Sequence, residues 1–223
     1  VIGGVVADPN TPTATAEIYF TSAATWGSAG AMTTARSSHT ATLLSDGRVL
    51  VAGGFNNGTP LRSAEIYDPL AKSWTYYATA MISARGAHTA TLLSKGTNSG
   101  KAMICGGQTG AATAITATCE LFDPAVDTFS NFTQMTSPRM GHSANLLPNG
   151  SVFASGGLAY SGGFIYLPTN ELFVPETNEW RPAAALLEGR TRHSATVLNN
   201  GNVLIAGGFN NDDQPDQFTQ DPP

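Results

Sequence analysis

The sequence predicts an all-β fold built from repeats, and three recurrences predict it. A Gly-Gly doublet returns at Gly3-Gly4, Gly53-Gly54, Gly106-Gly107, Gly156-Gly157 and Gly207-Gly208, at spacings of 50, 53, 50 and 51 residues. A Glu-x-Tyr/Phe segment returns at Glu17, Glu65, Glu120 and Glu171. One large aromatic follows each time, at Trp26, Trp74, Phe129 and Trp180. Self-similarity at this period marks a fold whose units bury their apolar faces against one another.

Each repeat reads as four strands. In the first complete one, 36–81, residues His39 to Leu44 alternate small and apolar types, Asp46-Gly47 makes a hairpin turn, and Arg48 to Ala52 is β-branched and apolar. Gly53-Gly54 ends the second strand, and a loop rich in Asn, Gly and Pro follows. Ala64 to Tyr67 is the third strand, closed by Asp68-Pro69, and Trp74 lies on the fourth. Asn149-Gly150 and Asn200-Gly201 suggest two-residue type I′ turns. The turn from Ser94 to Lys101 is longer. Residues 1–32 read as a blade lacking its first strand, 85–135 and 139–184 as complete blades, and 190–223 as two strands followed by a tail without a clear third. The expectation is one domain over 1–223 that starts in mid-blade, covers about four to five blades, and is continued by its parent protein or completed by another chain.

Composition narrows the function classes. Only 12% of the 223 residues are charged, about half the usual share, and the net charge is −5. With no Lys/Arg cluster, nucleic acid is not an expected partner, because its phosphates require a basic face. No stretch reaches the roughly 20 apolar residues of a membrane span. The scarcity of charge and the abundance of Gly, Ala, Ser and Thr suggest an extracellular or cell-surface protein, a periplasmic one being the alternative.

The doublet, the Glu-x-Tyr/Phe-Asp-Pro segment and the spaced aromatic together resemble the kelch repeat. The Ala-Thr-Leu-Leu, Asp-Gly, Val-Leu-Val-Ala-Gly-Gly variant is similar to the bacterial and extracellular branch near galactose oxidase-like proteins. The resemblance implies a β-propeller of four-stranded antiparallel blades around a central channel, first strands innermost. Phe20 and Val174 depart from it, standing where Asp is expected.

The recurring polar residues have structural readings first. Arg36, Arg85, Arg139 and Arg190 each stand three residues before His39, His88, His142 and His193. One residue per blade at one offset is what packing or hydrogen bonding between blades produces; a metal ring is the sharper reading of the histidines. The arginines pair in expectation with Glu65, Glu120 and Glu171 across neighbouring blades, since buried charges need partners. An anion site at the channel mouth is the alternative for them. No nucleophile elbow, zinc-protease helix or phosphate loop occurs. The expected function is therefore a non-catalytic, cofactor-free module that binds protein or glycan or assembles with other chains. A copper-radical oxidase of galactose oxidase type is the runner-up.

Two further expectations are specific. Cys105 aligns with Ala52 and Cys119 with Ala64, so both fall at the facing ends of strands two and three, within reach of a disulfide; two buried free thiols are the alternative. The loops between strands two and three vary most from repeat to repeat and share a face with the crossings between blades, the usual pattern of recognition loops. They supply the candidates Asn56, Asn57, Arg62, Tyr160, Phe164, Tyr166, Asn210 and Asn211. The aromatics suit sugar stacking or protein contact, or simply cap the blade beneath.

Overall fold

The apolar runs before Gly53-Gly54, Gly106-Gly107 and Gly156-Gly157 form strands largely buried on both faces, and this places the blades side by side. The structure, a computed structural model, describes residues 1–6, 11–77 and 80–210. An N-terminal half-blade pairs β1 (Thr15–Phe20) with β2 (Thr25–Ala31). The first full blade contains β3 (Thr40–Leu43) and β4 (Val49–Ala52), a small hairpin of β5 (Phe55–Asn56) and β6 (Thr59–Pro60), then β7 (Ala64–Asp68) and β8 (Ser73–Tyr77). The second runs through β9 (Thr89–Leu92), β10 (Ala102–Cys105), β11 (Cys119–Asp123) and β12 (Thr128–Asn131). The third has β13 (Ser143–Leu146) and β14 (Val152–Ser155), the hairpin β15 (Leu158–Tyr160) and β16 (Phe164–Tyr166), then β17 (Asn170–Val174) and β18 (Glu179–Ala183). β19 (Ser194–Val197) and β20 (Val203–Ala206) pair as a last half-blade. The three full sheets have the orders β3-β4-β7-β8, β9-β10-β11-β12 and β13-β14-β17-β18, all antiparallel. No helix occurs among the described residues, so none is long and apolar enough to cross a membrane.

Successive side chains of a strand point to opposite faces, and here each face meets a different neighbour. Ala102, Ile104 and Phe122 of the second blade pack with Leu50, Ala52 and Ile66 of the first. Met103, Cys105, Cys119 and Leu121 turn the other way, onto Val152, Ala154 and Phe173 of the third. Tyr67 and Trp74 close the first blade against Ala16 and Ala29 of the N-terminal half-blade. Burial of each large aliphatic side chain contributes roughly 1.5–3 kcal/mol. The inner strands β3, β9, β13 and β19 lie next to one another in that order, so their starts converge on the axis.

The first-to-second strand turns are not of type I′. That turn needs positive φ at both central residues, whereas only the glycines adopt it, at +88° for Gly47, +89° for Gly150 and +85° for Gly201. Asp46, Asn149 and Asn200 each accept the amide two residues ahead at 3.0 Å. That bond holds the preceding residue in the ordinary region and leaves the left-handed place to glycine, giving three-residue loops.

Candidate functional site

Arg36, Arg85 and Arg139 are fully buried, each ion-paired to a buried glutamate: Arg36–Glu65 at 2.9 Å, Arg85–Glu120 at 2.7 Å and Arg139–Glu171 at 2.8 Å. The pairs lie within one blade, not between neighbours as the repeat pattern suggests. The arginine enters at the start of the inner strand and reaches under the Gly-Gly turn, donating to the carbonyls of Gly53, Gly106 and Gly156. The glutamate's remaining capacity goes to the chain arriving from the preceding blade. Glu65 accepts from the amides of Thr33 and Thr34, Glu120 from Ile82 and Ser83, and Glu171 from Thr136 and Ser137, all at 2.6–3.1 Å. In the half-blades Glu17 is exposed, and Arg190 donates to the Gly207 carbonyl and stands 3.5 Å from Glu188.

The histidines hold blade to blade. His88 Nε2 meets Thr40 Oγ1 at 3.0 Å, His142 Nε2 meets Thr89 Oγ1 at 2.9 Å, and His193 Nε2 meets Ser143 and Ser155 hydroxyls at 3.1 and 3.2 Å. Burial, reinforced by the neighbouring arginine, lowers His39 to about 4 and His88 to about 3, and pushes His142 and His193 down as well. All four are neutral at physiological pH.

The residue before each histidine was not singled out by the sequence. Ser38, Ala87, Gly141 and Arg192 all adopt left-handed backbone, with φ between +48° and +59°. Their peptide groups form a chain of hydrogen bonds around the axis: Ala87 N–H donates to Ser38 C=O at 3.0 Å, Gly141 to Ala87 at 2.9 Å, and Arg192 to Gly141 at 2.8 Å. This chain and the four histidines line an axial mouth of about 360 Å³. Aligning the repeats would have revealed that one of the four equivalent positions carries a charge.

None of the described loop candidates lines that mouth, but their loops start beside it, where Phe55 bridges Ser37, Leu158 bridges Met140 and Phe209 bridges Thr191. Asn57 is exposed and Asn56 half-buried on the β5–β6 hairpin, and Arg62 donates its Nε to the Met81 carbonyl. On the β15–β16 hairpin Tyr160 is 40% exposed and meets Phe164 edge-on at 5.4 Å, while Tyr166 is buried. Asn210 is half-buried; Asn211 lies outside the described residues. Cys105 and Cys119, in register across β10 and β11, form a disulfide.

A family model for the kelch motif matches residues 36–81, the first full blade. Kelch-like protein 23 from Homo sapiens and from Mus musculus are each 28% identical over 217 residues, 94% of this chain and 35% of theirs. The chain thus spans about a third of the length of these curated relatives. A solved structure described as "Structure of YjhT" matches with a TM-score of 0.73 at 14% identity, over 94% of this chain and 74% of the other. The fold is a kelch-repeat β-propeller.

The kelch blades account for the recurring charges as scaffold. The copper-oxidase alternative asks for tyrosine and histidine ligands on the axis and a cysteine free to cross-link to a tyrosine. Both cysteines are joined in a disulfide, and the Nε2 atoms of His88, His142 and His193 already meet hydroxyl groups. Among the described residues no group of three or more His, Cys, Asp or Glu could hold a metal ion. These histidines and cysteines do not fit that copper site.

Proposed function

We propose that the loop face around the axial mouth is a docking surface for a partner protein. The observation that carries this reading is that the variable loops of the three full blades start beside one mouth, Phe55 bridging Ser37, Gln108 bridging Gly86 and Leu158 bridging Met140, each on a blade whose buried Arg–Glu pair and doublet hold its base. Among the loop aromatics, Tyr166 is buried and Tyr160 is engaged edge-on by Phe164. That weakens the flat stacking platform a glycan reading relies on and favours protein contact. We further propose an oxidising compartment, outside the cell or in the periplasm, supported by the buried disulfide.

The test is retention of partners by the immobilised intact protein. Asn57→Ala, Arg62→Ala and Tyr160→Ala together are expected to remove bound proteins that wild type retains, by about tenfold or more, at unchanged melting temperature. Lys101→Ala, on the opposite ends of the strands, is expected to retain them. Equal retention by the loop-face variant overturns the reading, and retention of glycans in place of proteins on an array redirects it.

A further inference from the structure

We propose that Asn57 is a modification site at which the chain deamidates spontaneously, through a succinimide formed with Gly58, leaving aspartate or isoaspartate at the tip of the β5–β6 hairpin. The reaction needs no partner and is independent of the docking reading. The Gly58 amide gives up its proton to solvent base, and its nitrogen attacks Asn57 Cγ. The N–Cγ bond forms, the Cγ–Nδ2 bond breaks, and the side-chain amide leaves as ammonia with a proton from solvent. Water then opens the five-membered ring at either carbonyl, and no oxidant or reductant is consumed. Three Asn-Gly pairs occur in the chain: Asn57-Gly58, Asn149-Gly150 and Asn200-Gly201. In all three the missing side chain of glycine leaves its nitrogen open to the neighbouring Cγ and its backbone free to turn.

The fold separates the three pairs. Asn149 and Asn200 stand in turns between first and second strands, where both reacting groups are already committed. The Gly150 and Gly201 N–H groups donate to the Leu147 and Leu198 carbonyls, each at 2.8 Å. The Oδ1 atoms of Asn149 and Asn200 accept the amides of Ser151 and Asn202, each at 3.0 Å. Attack at these pairs has to break the glycine's bond and also turn the side chain away from the amide it holds. Asn57 carries neither restraint. Asn57 and Gly58 are exposed, and among the described residues no hydrogen bond is made by the Asn57 side chain or the Gly58 N–H. A Cβ added at Gly58 would meet no atom within 4 Å. Both residues have positive φ, +48° and +76°, the type I′ geometry, and the turn is closed by the Asn56–Thr59 pair, which leaves the Gly58 N–H outside the ladder. The hairpin has two residues in each strand and forms a two-stranded sheet of its own, so little has to open before the Gly58 nitrogen reaches Cγ. Either product places a carboxylate on the hairpin tip. Isoaspartate also routes the backbone through Cβ, lengthening a turn whose geometry sets the strand register.

The experiment is peptide mapping by mass spectrometry while the intact folded protein is held at physiological temperature and mildly alkaline pH, beside the same protein unfolded in guanidinium chloride. Conversion is read as the mass gained when oxygen replaces the amide nitrogen. In the folded protein Asn57 is expected to convert at least about tenfold faster than Asn149 and Asn200, the factor that one or two net hydrogen bonds add to a barrier. Unfolding is expected to bring the three rates together. Asn57→Asp carries a product from the outset, and its peptide is expected to gain no mass. A gain in that variant assigns the reaction to Asn56 and overturns the site. Equal rates at the three pairs in the folded protein, or a slower rate at Asn57, overturn the proposal. So does a folded-state ratio that persists after unfolding, which traces the difference to neighbouring residues and not to the turn.

Discussion

At the scale of single residues, the buried Arg–Glu pairs show how one repeated residue pair organises a blade. Each glutamate neutralises its arginine and anchors the incoming crossover, while the arginine satisfies carbonyls left open by the Gly-Gly turn. Such a pair is not a strong stabiliser when weighed against an apolar replacement, but breaking it strands a charge in the interior. Glu120→Gln keeps the shape and removes the charge opposite Arg85. It is expected to cost about 3–5 kcal/mol in denaturant unfolding. Lys101→Ala removes a partner of Asp123 in a pair whose side chains are about a third exposed, and is expected to cost no more than about 1 kcal/mol. Similar losses from the two variants would show that the buried pair does not have this role.

At the scale of elements, the second blade differs from the first by one covalent link. Ala52 faces Ala64 in β4 and β7, and Cys105 faces Cys119 in β10 and β11. The bridge spans 14 residues and encloses the 106–118 loop, so it fixes the base of one of the loops on the proposed docking face. Closing a loop of that length restricts the unfolded chain by about 3 kcal/mol in the entropic account. The double replacement Cys105→Ala with Cys119→Ala copies the first blade and keeps its packing, so its loss of stability is expected to be about 2–4 kcal/mol and to match the loss on reduction of wild type. Alkylation of both thiols in unreduced, denatured protein would show the link to be absent.

At the scale of the whole molecule, the blades are joined along the axis by neutral histidines, which makes stability depend on pH. Above the unfolded value near 6.5 both folded and unfolded chains carry neutral imidazoles, and the contribution is complete. Below it the unfolded chain takes up protons that the folded one refuses until about pH 4 at His39 and about pH 3 at His88. Stability is therefore lost as pH falls through that window, by about 1.4 kcal/mol per pH unit for each histidine still refusing its proton. The melting temperature is expected to drop between pH 7 and 5, a range in which carboxylates contribute little. His88→Gln is expected to start lower at pH 7 and to fall less steeply. An equal slope in the variant would remove the histidines from this account.

The sequence by itself determined the blade: its period, its four strands, the alternation that buries strands two and three, and the register that brings Cys105 to Cys119. Those properties depend on residues a few positions apart or on directly paired strands, so each repeat states them again. Tertiary structure decided what one blade does to the next. The arginines and glutamates recur in equal number whether they pair within a blade or between blades; only the path of the crossover beneath the Gly-Gly turn puts Glu65 beside Arg36 and the amides of Thr33 and Thr34. The histidines stay neutral because packing between blades buries them beside the arginines, while a hydroxyl of the preceding blade meets the ring at His88, His142 and His193. Tyr166 was legible as a loop aromatic but not as a buried one. Arg192 lines the axial mouth because the backbone chain from Ser38 carries it there. The stacking of twisted sheets sets which groups of neighbouring blades meet, and no single repeat contains that geometry.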